Sequence, residues 1–279
     1  IIYSIWALFL LCLQARLYGE RMLATGYRNA SVTVFLAVLL ALVLWMGRKK
    51  LSAFTRATEV FYLALALALG LVLAVSIQDL TPENVLPVWV SDLPGAAAAT
   101  LVPLGVAGAG VFMAFLGGQI TVVEGDRRRC VRWLAAGCLV MAALQFAVLG
   151  QLGPDLSAQL EEPFFEVARG VGINGAFQRV ESVVVALWAF SDLALLGLLV
   201  FACRNMSETL WGERGRKWSV PVVVVLTFLG AVFLFPDDFT AQRAASEGVL
   251  FGNLLLGFGV PALLRLVQKV KRAGGRAHI

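Results

Sequence analysis

Between Val183 and Cys203 lie 21 residues of which only Ser191 and Asp192 are clearly polar, and this run limits the fold more than any other feature of the chain. A hydrocarbon core about 30 Å thick is crossed by about 20 apolar residues as a helix, and inside it every backbone N–H and C=O must be paired within the protein. The run is therefore expected to span a membrane as a helix. Seven further apolar runs repeat the pattern: Ile2–Leu13, Val32–Met46, Val60–Ile77, Ala96–Val123, Val131–Leu149, Val220–Phe235 and Val249–Leu264. With 59% hydrophobic and 15% charged residues and a mean hydropathy of +0.83, the chain lies outside the range of soluble globular domains. The expected fold is an all-α polytopic membrane protein, one integral membrane domain over residues 1–279. The start is already apolar by Ile5 and has neither an initiating Met nor a basic segment before a cleavage site, so it reads as an N-terminal truncation and not as a signal peptide. The first span is either clipped or continues through Gln14 to Tyr18.

Asp192 is the unusual residue. It lies 11 positions after Glu181, about 16 Å along a helix and close to the same face, so a Glu181 at the interface puts Asp192 near the midplane. Trp188 and Leu195, at i−4 and i+3, share that face. A carboxylate at this depth costs about 2.5–3.5 kcal/mol on insertion scales, which the surrounding Leu, Val and Phe offset, and such groups face other helices. Two readings stand: a protonated packing residue bonded to a neighbouring hydroxyl, or an ion, proton or ligand site. All 23 basic residues fall in loops or at span ends, which leaves Asp192 with no expected basic partner.

The distribution of those charges gives the orientation. If the tail after Leu264 is cytoplasmic and the spans alternate, seventeen Lys and Arg fall inside and six outside, with all five lysines inside. The positive-inside rule then places the C-terminus in the cytoplasm and brings the chain into its first span from the same side. The net charge of +5 accordingly reflects membrane topology and not a nucleic-acid partner; lipid is the partner that composition implies. Arg56 and Glu59 are spaced to bond locally at the inner end of the third span. Of the outer segments, Gln78–Gly95 is acidic and punctuated by proline, as in a re-entrant or interfacial cap. Gly153–Val180 sets Phe164, Phe165 and Val167 beside Glu161, Glu162 and Glu166, either an amphipathic piece on the membrane or a solvated loop.

Cys12, Cys130, Cys138 and Cys203 form no CxxC pair, and the single histidine is His278 in the tail. That inventory offers neither a zinc site nor a Cys/His nucleophile, so no metal, cofactor or enzymatic chemistry is expected.

The fourth run contains Pro103, Gly105, Gly108 and Gly110 near its middle. A proline without a donor beside three glycines favours a broken helix, with an outer half ending near Leu104 and an inner half starting near Val111. Unpaired N–H groups at that second start would receive an anionic ligand group near Gly110 and Val111, with Gly105 and Gly108 kept small and Phe112 as apolar wall. The competing reading is a continuous helix whose small residues allow close packing.

The segment Arg169–Asn205, with R-x-V-x-I-N-x-x-F-x-R-V-E-S before the A-L-W-A-F helix, resembles the spore germination permeases, the membrane-spanning B subunits of nutrient germinant receptors. Phe54-Thr55-Arg56-Ala57-Thr58-Glu59, Asn84-Val85-Leu86-Pro87 and the short basic tail are similar to further stretches of that family. The resemblance implies a transporter-like fold of ten helices in two inverted repeats with broken first and sixth helices, of which this chain would hold the last eight. It also implies a small nutrient ligand such as an amino acid, and partner receptor subunits. The candidate ligand-binding residues are Gly105, Gly108, Gly110, Val111, Phe112, Trp188 and Asp192. Three functions remain open: a germinant-sensing permease-like subunit, a secondary transporter in which Asp192 carries a coupling proton, and a structural membrane subunit.

Overall fold

The computed structural model describes residues 1–25, 30–86, 89–121, 123–160, 162–170 and 180–275, and the side chains of these except 169, 180–183 and 272–275. The expected Glu181, Glu161, Pro87, Arg169 and His278 features, and much of the stretch between Arg169 and Val180, lie outside the described residues and side chains. Among the described residues six helical stretches are long and apolar enough to cross a membrane, and a shorter one, Val32–Gly47, accompanies them. The protein is all-α and polytopic, as its composition requires.

The helices are α1 (Ile2–Ala24), α2 (Val32–Gly47), α3 (Leu51–Ser76), α4 (Leu93–Ala99), α5 (Leu101–Gly108), α6 (Asp126–Gln159), α7 (Pro163–Gly170) and α8 (Val180–Phe233). A last helical run comprises α9 (Asp238–Arg243), α10 (Leu250–Leu254) and α11 (Val260–Gly275), joined by π-helical turns at Ala244–Val249 and Leu255–Gly259. Six of the eight expected spans fall mainly on a single helix, whereas the fourth is divided among α4, α5 and a 3-10 stretch and the eighth among α10, α11 and the π turns. α8 carries two of them, joined at Gly212, whose φ of 64° and ψ of −148° end one helix and start the next. No L side chain adopts that conformation without strain, so a residue other than glycine there would straighten or break the turn.

The chain forms two compact units. The first comprises residues 1–54, 94–120 and 192–279, the second 55–93 and 121–191. The first is built around Leu11, Leu36, Leu39, Val43, Phe112, Leu196 and Leu199, all at most 1% exposed. The end of α1 is tied to the approach to α9: Arg16 Nη2 donates to the Pro236 carbonyl at 3.0 Å and forms an ion pair with Glu20. Asp237 caps α9 by accepting the Thr240 N–H at 2.7 Å, and the backbone and side-chain bonds from Thr240 hold its carboxyl below the usual carboxylate value.

In the second unit, α7 places Phe165, Val167 and Ala168 in the protein interior, where Ala168 joins Val72 and Val184, with Phe164 and Trp188 against them. The amphipathic pattern of this segment therefore covers the unit's own helices, and the expectation of a piece lying on the membrane or a solvated loop is corrected accordingly. The stretch Gln78–Gly95 holds short 3-10 turns at Ile77–Asp79, Pro82–Asn84 and Val90–Asp92. It is fastened to α6 through one acceptor: the Gly150 carbonyl receives the Thr81 N–H at 3.0 Å and the Asn84 Nδ2 at 2.9 Å. Gly150 is bare where Leu80 packs on it; a Cβ there would lie 2.8 Å from Leu80 Cγ. Arg56 and Glu59 are both exposed on α3.

The fourth span is not broken where Pro103 led us to expect. The interruption lies at Thr100, between α4 and α5, and is slight: Thr100 keeps helical backbone angles, its N–H reaches the Ala96 carbonyl and its carbonyl receives the Leu104 N–H, each at 3.2 Å, so what the helix lacks there is the bond that Pro103, third residue of α5, cannot donate. From Ala109 to Gln119 the chain continues as a 3-10 helix, with no unwound segment between Leu104 and Val111. The span changes helix type at Gly108 and tightens instead of opening.

Candidate functional site

α1 is longer than its apolar run. It continues 11 residues past Leu13, and its second half presents Gln14, Tyr18 and Arg21 along one face, since residues seven apart return to within about 20°. That face meets α8 at Asp192. Gln14 Nε2 donates to Asp192 Oδ1 at 2.7 Å, and Arg21 Nη1 donates to Asp192 Oδ2 at 3.0 Å. Asp192 is 5% exposed, so the carboxylate is buried with both oxygens engaged. The expectation that it lacks a basic partner is thus corrected: Arg21, read from sequence as part of an outer loop, is carried to it by the extension of α1. Arg204, 12 residues further along α8 and so about 18 Å away, holds the end of α2 by donating to the Gly47 and Lys49 carbonyls, each at 3.1 Å. Asp192 therefore lies more than half a hydrocarbon thickness from that end.

A polar pair buried between helices is costly unless its charges and lone pairs are matched. Here the Arg21 guanidinium and the Gln14 amide contribute to the match. The arrangement presents an anionic and a cationic group side by side in a low-dielectric interior, where both act strongly on any charged solute that reaches them.

The glycines of the fourth span do something different. A Cβ on Gly108 would lie 2.5 Å from the Asn253 carbonyl oxygen, and one on Gly257 would lie 2.5 Å from the Gly108 carbonyl oxygen. Gly105 faces Leu250 in the same way, at 2.8 Å from Cδ1 and 3.3 Å from Cα. These residues let α5 approach α10 and the π turn after it backbone to backbone, the small-residue packing that was the competing reading. Gly110 has nothing within 4 Å of a Cβ. The free helix start proposed at Gly110 and Val111 is absent, because the 3-10 helix continues α5; Val111 packs on the first unit's core. Phe112 is fully buried and edge-on to Tyr3 at 6.3 Å.

The first turns of α1 complete this region. Trp6 Nε1 donates to Asn253 Oδ1 at 2.9 Å, its indole lies over Gly252, and Tyr3 Oη donates to the Leu256 carbonyl at 2.7 Å. Leu256 is within the second π turn, whose wider winding changes which carbonyls are matched along the helix. Sequence reading missed Tyr3, Trp6 and Asn253; the signal available was an Asn inside an otherwise apolar span. The structure thus sorts the expected site residues into separate places. Asp192 meets Gln14 and Arg21, Gly105 and Gly108 meet Leu250 and Asn253, and Phe112 meets Tyr3. Trp188 packs in the second unit against Phe165, with ring centroids 5.7 Å apart.

The family model described as spore germination protein matches residues 1–239. The chain belongs to that family. No curated protein and no solved structure is similar enough to add to this comparison. The spore germination family match covers α1 through the start of α9, so the Gln14–Arg21–Asp192 constellation lies within it, whereas Asn253 and the second π turn lie beyond. The family and the apolar helices together make this a germination-related, permease-like integral membrane protein.

Proposed function

We propose that this protein is a germinant-sensing permease-like subunit that binds a small nutrient such as an amino acid and takes part in spore germination beside other receptor subunits. The observation that carries the reading is the buried Arg21–Asp192 pair with Gln14. A zwitterionic amino acid is chemically complementary to it: the ligand carboxylate suits the forked donors of Arg21, and its ammonium suits Asp192. Binding would exchange one internal ion pair for two intermolecular ones and so loosen α1 from α8, a local event that a partner subunit could sense. In this proposal Asp192 contacts the ligand, while Gly105 and Gly108 set helix spacing. The charge distribution supports a cytoplasmic C-terminus.

Binding and flux separate sensing from transport. The full-length protein, reconstituted in liposomes and offered a panel of radiolabelled free amino acids, is expected to bind at least one without accumulating it. Accumulation driven by a proton gradient would instead support a proton-coupled transporter, and neither binding nor uptake across the panel would support a structural subunit.

A further inference from the structure

At the end of the spans where α2 stops and α8 turns, the first unit holds a cavity of about 370 Å³ lined by Arg48, Arg204, Glu213, Arg216 and Lys217 with Gly47 and Val220. A second hollow of about 150 Å³ shares Arg204 and Arg216 with it and adds Lys50 and Asn205. Five cations thus surround the two hollows, against Glu213 on the lining and Glu208 paired with Arg216, which leaves an excess of three positive charges. Such crowding of like charge is unfavourable unless an anion sits among them.

The site is built by the fold. Arg204 is fixed because its Nη1 alone donates to the Gly47 and Lys49 carbonyls, leaving its other N–H groups for an occupant. The positive-φ turn at Gly212 folds α8 back so tightly that a Cβ on Gly215 would run into the Ser207 carbonyl. This return places Arg216 3.4 Å from Glu208 and beside Arg204 in both hollows. The depth is marked as well: Trp45, Trp211 and Trp218 are each more than 60% exposed around the same end, as in the aromatic belts that lie at headgroup level. Lys49 rests over the Trp45 ring at 4.9 Å.

We propose that this cavity binds a phosphate-bearing anion, supplied in the membrane by the headgroup of an anionic phospholipid. Guanidinium groups match phosphate oxygens in pairs, and basic hollows between spans at the headgroup level are suited to such lipids. Bound there, the phosphate would join α2 to both arms of α8 and hold the Gly212 turn closed.

The test uses the full chain in nanodiscs and in neutral detergent, with phosphatidylglycerol, phosphatidylcholine and inorganic phosphate as probes. The variant carries Arg48→Gln with Lys217→Gln, because Arg204 also holds α2; Lys269→Gln on α11 is the control. Native mass spectrometry should show phosphatidylglycerol retained in preference to phosphatidylcholine, with retention falling about tenfold or more in the double variant and not in the control. Its unfolding temperature in lipid-free neutral detergent should be no lower than that of the wild type, since substitution relieves repulsion. Protection by inorganic phosphate in detergent, lost in the double variant, would establish the same site with a soluble source of phosphate. Equal retention of both lipids with no phosphate protection, or equal losses in the double variant and the control, would overturn the proposal.

Discussion

Arg21→Gln should lower stability sharply, by about 3–5 kcal/mol, because it removes a guanidinium from beside the buried Asp192 carboxylate. Asp192→Asn should cost less. The amide still accepts a hydrogen bond, and Arg21, with 21% of its side chain exposed, can turn its charge toward water or headgroups. The double variant Arg21→Gln with Asp192→Asn removes both charges together and should be more stable than Arg21→Gln alone, giving a coupling of about 0.5–3 kcal/mol. Denaturant titration of the purified protein in mild detergent measures all four. Near-wild-type stability of Arg21→Gln would mean that the pair is not formed in the membrane protein.

The glycines of the fourth span should respond with opposite signs. Gly108→Ala places a Cβ 2.5 Å from the Asn253 carbonyl oxygen, a backbone atom that moves only if its helix moves, so a loss of about 1–3 kcal/mol or more is expected. Gly257→Ala meets the Gly108 carbonyl oxygen at the same distance and should behave alike. Gly105→Ala first meets the end of the Leu250 side chain, which can turn aside, and should be milder. Gly110→Ala enters open space and should be neutral or stabilising by up to about 1 kcal/mol, since alanine loses less backbone freedom than glycine. Thermal unfolding followed by size-exclusion chromatography in detergent ranks the four. A Gly110→Ala protein as damaged as Gly108→Ala would count against the observed packing.

These two regions also show what a sequence reading can and cannot reach. The spans were legible because lipid forces apolar length, and the Gly212 junction within Arg204–Lys217 was legible as a basic inner segment between two of them. The end of α1 was legible only as far as Tyr18, and only as one of two readings. Apolar count stops at Leu13, yet the helix continues because its polar residues find partners inside the protein: Gln14 and Arg21 on Asp192, Arg16 on Glu20 and the Pro236 carbonyl. Hydropathy along one segment carries no information about a partner 171 positions away. Asp192 itself stood out, since a midspan acid always demands a reason, while its reason lay in a stretch that looked like loop.

Pro103 misled for a related cause. A proline beside glycines signals irregular backbone, and irregularity is present, at Thr100 and again where α5 passes into 3-10 winding after Gly108. The signal does not say whether the proline ends one helix or begins the next. Gly105 and Gly108, read as room for a ligand, are room for Leu250 and Asn253.

The most direct test of the account is recognition of the two charged ends of the ligand by Arg21 and Asp192. Equilibrium binding to the full-length protein is measured for a free amino acid that binds the wild type, its methyl ester and its N-acetyl derivative. Each derivative should bind wild type at least about tenfold more weakly than the free amino acid, because one buried charge is left unmatched. Arg21→Gln should lose the discrimination against the ester while keeping that against the acetylated amine, and Asp192→Asn should do the reverse. If both variants discriminate as the wild type does, the ligand's charges are read elsewhere and the Arg21–Asp192 pair only holds α1 to α8.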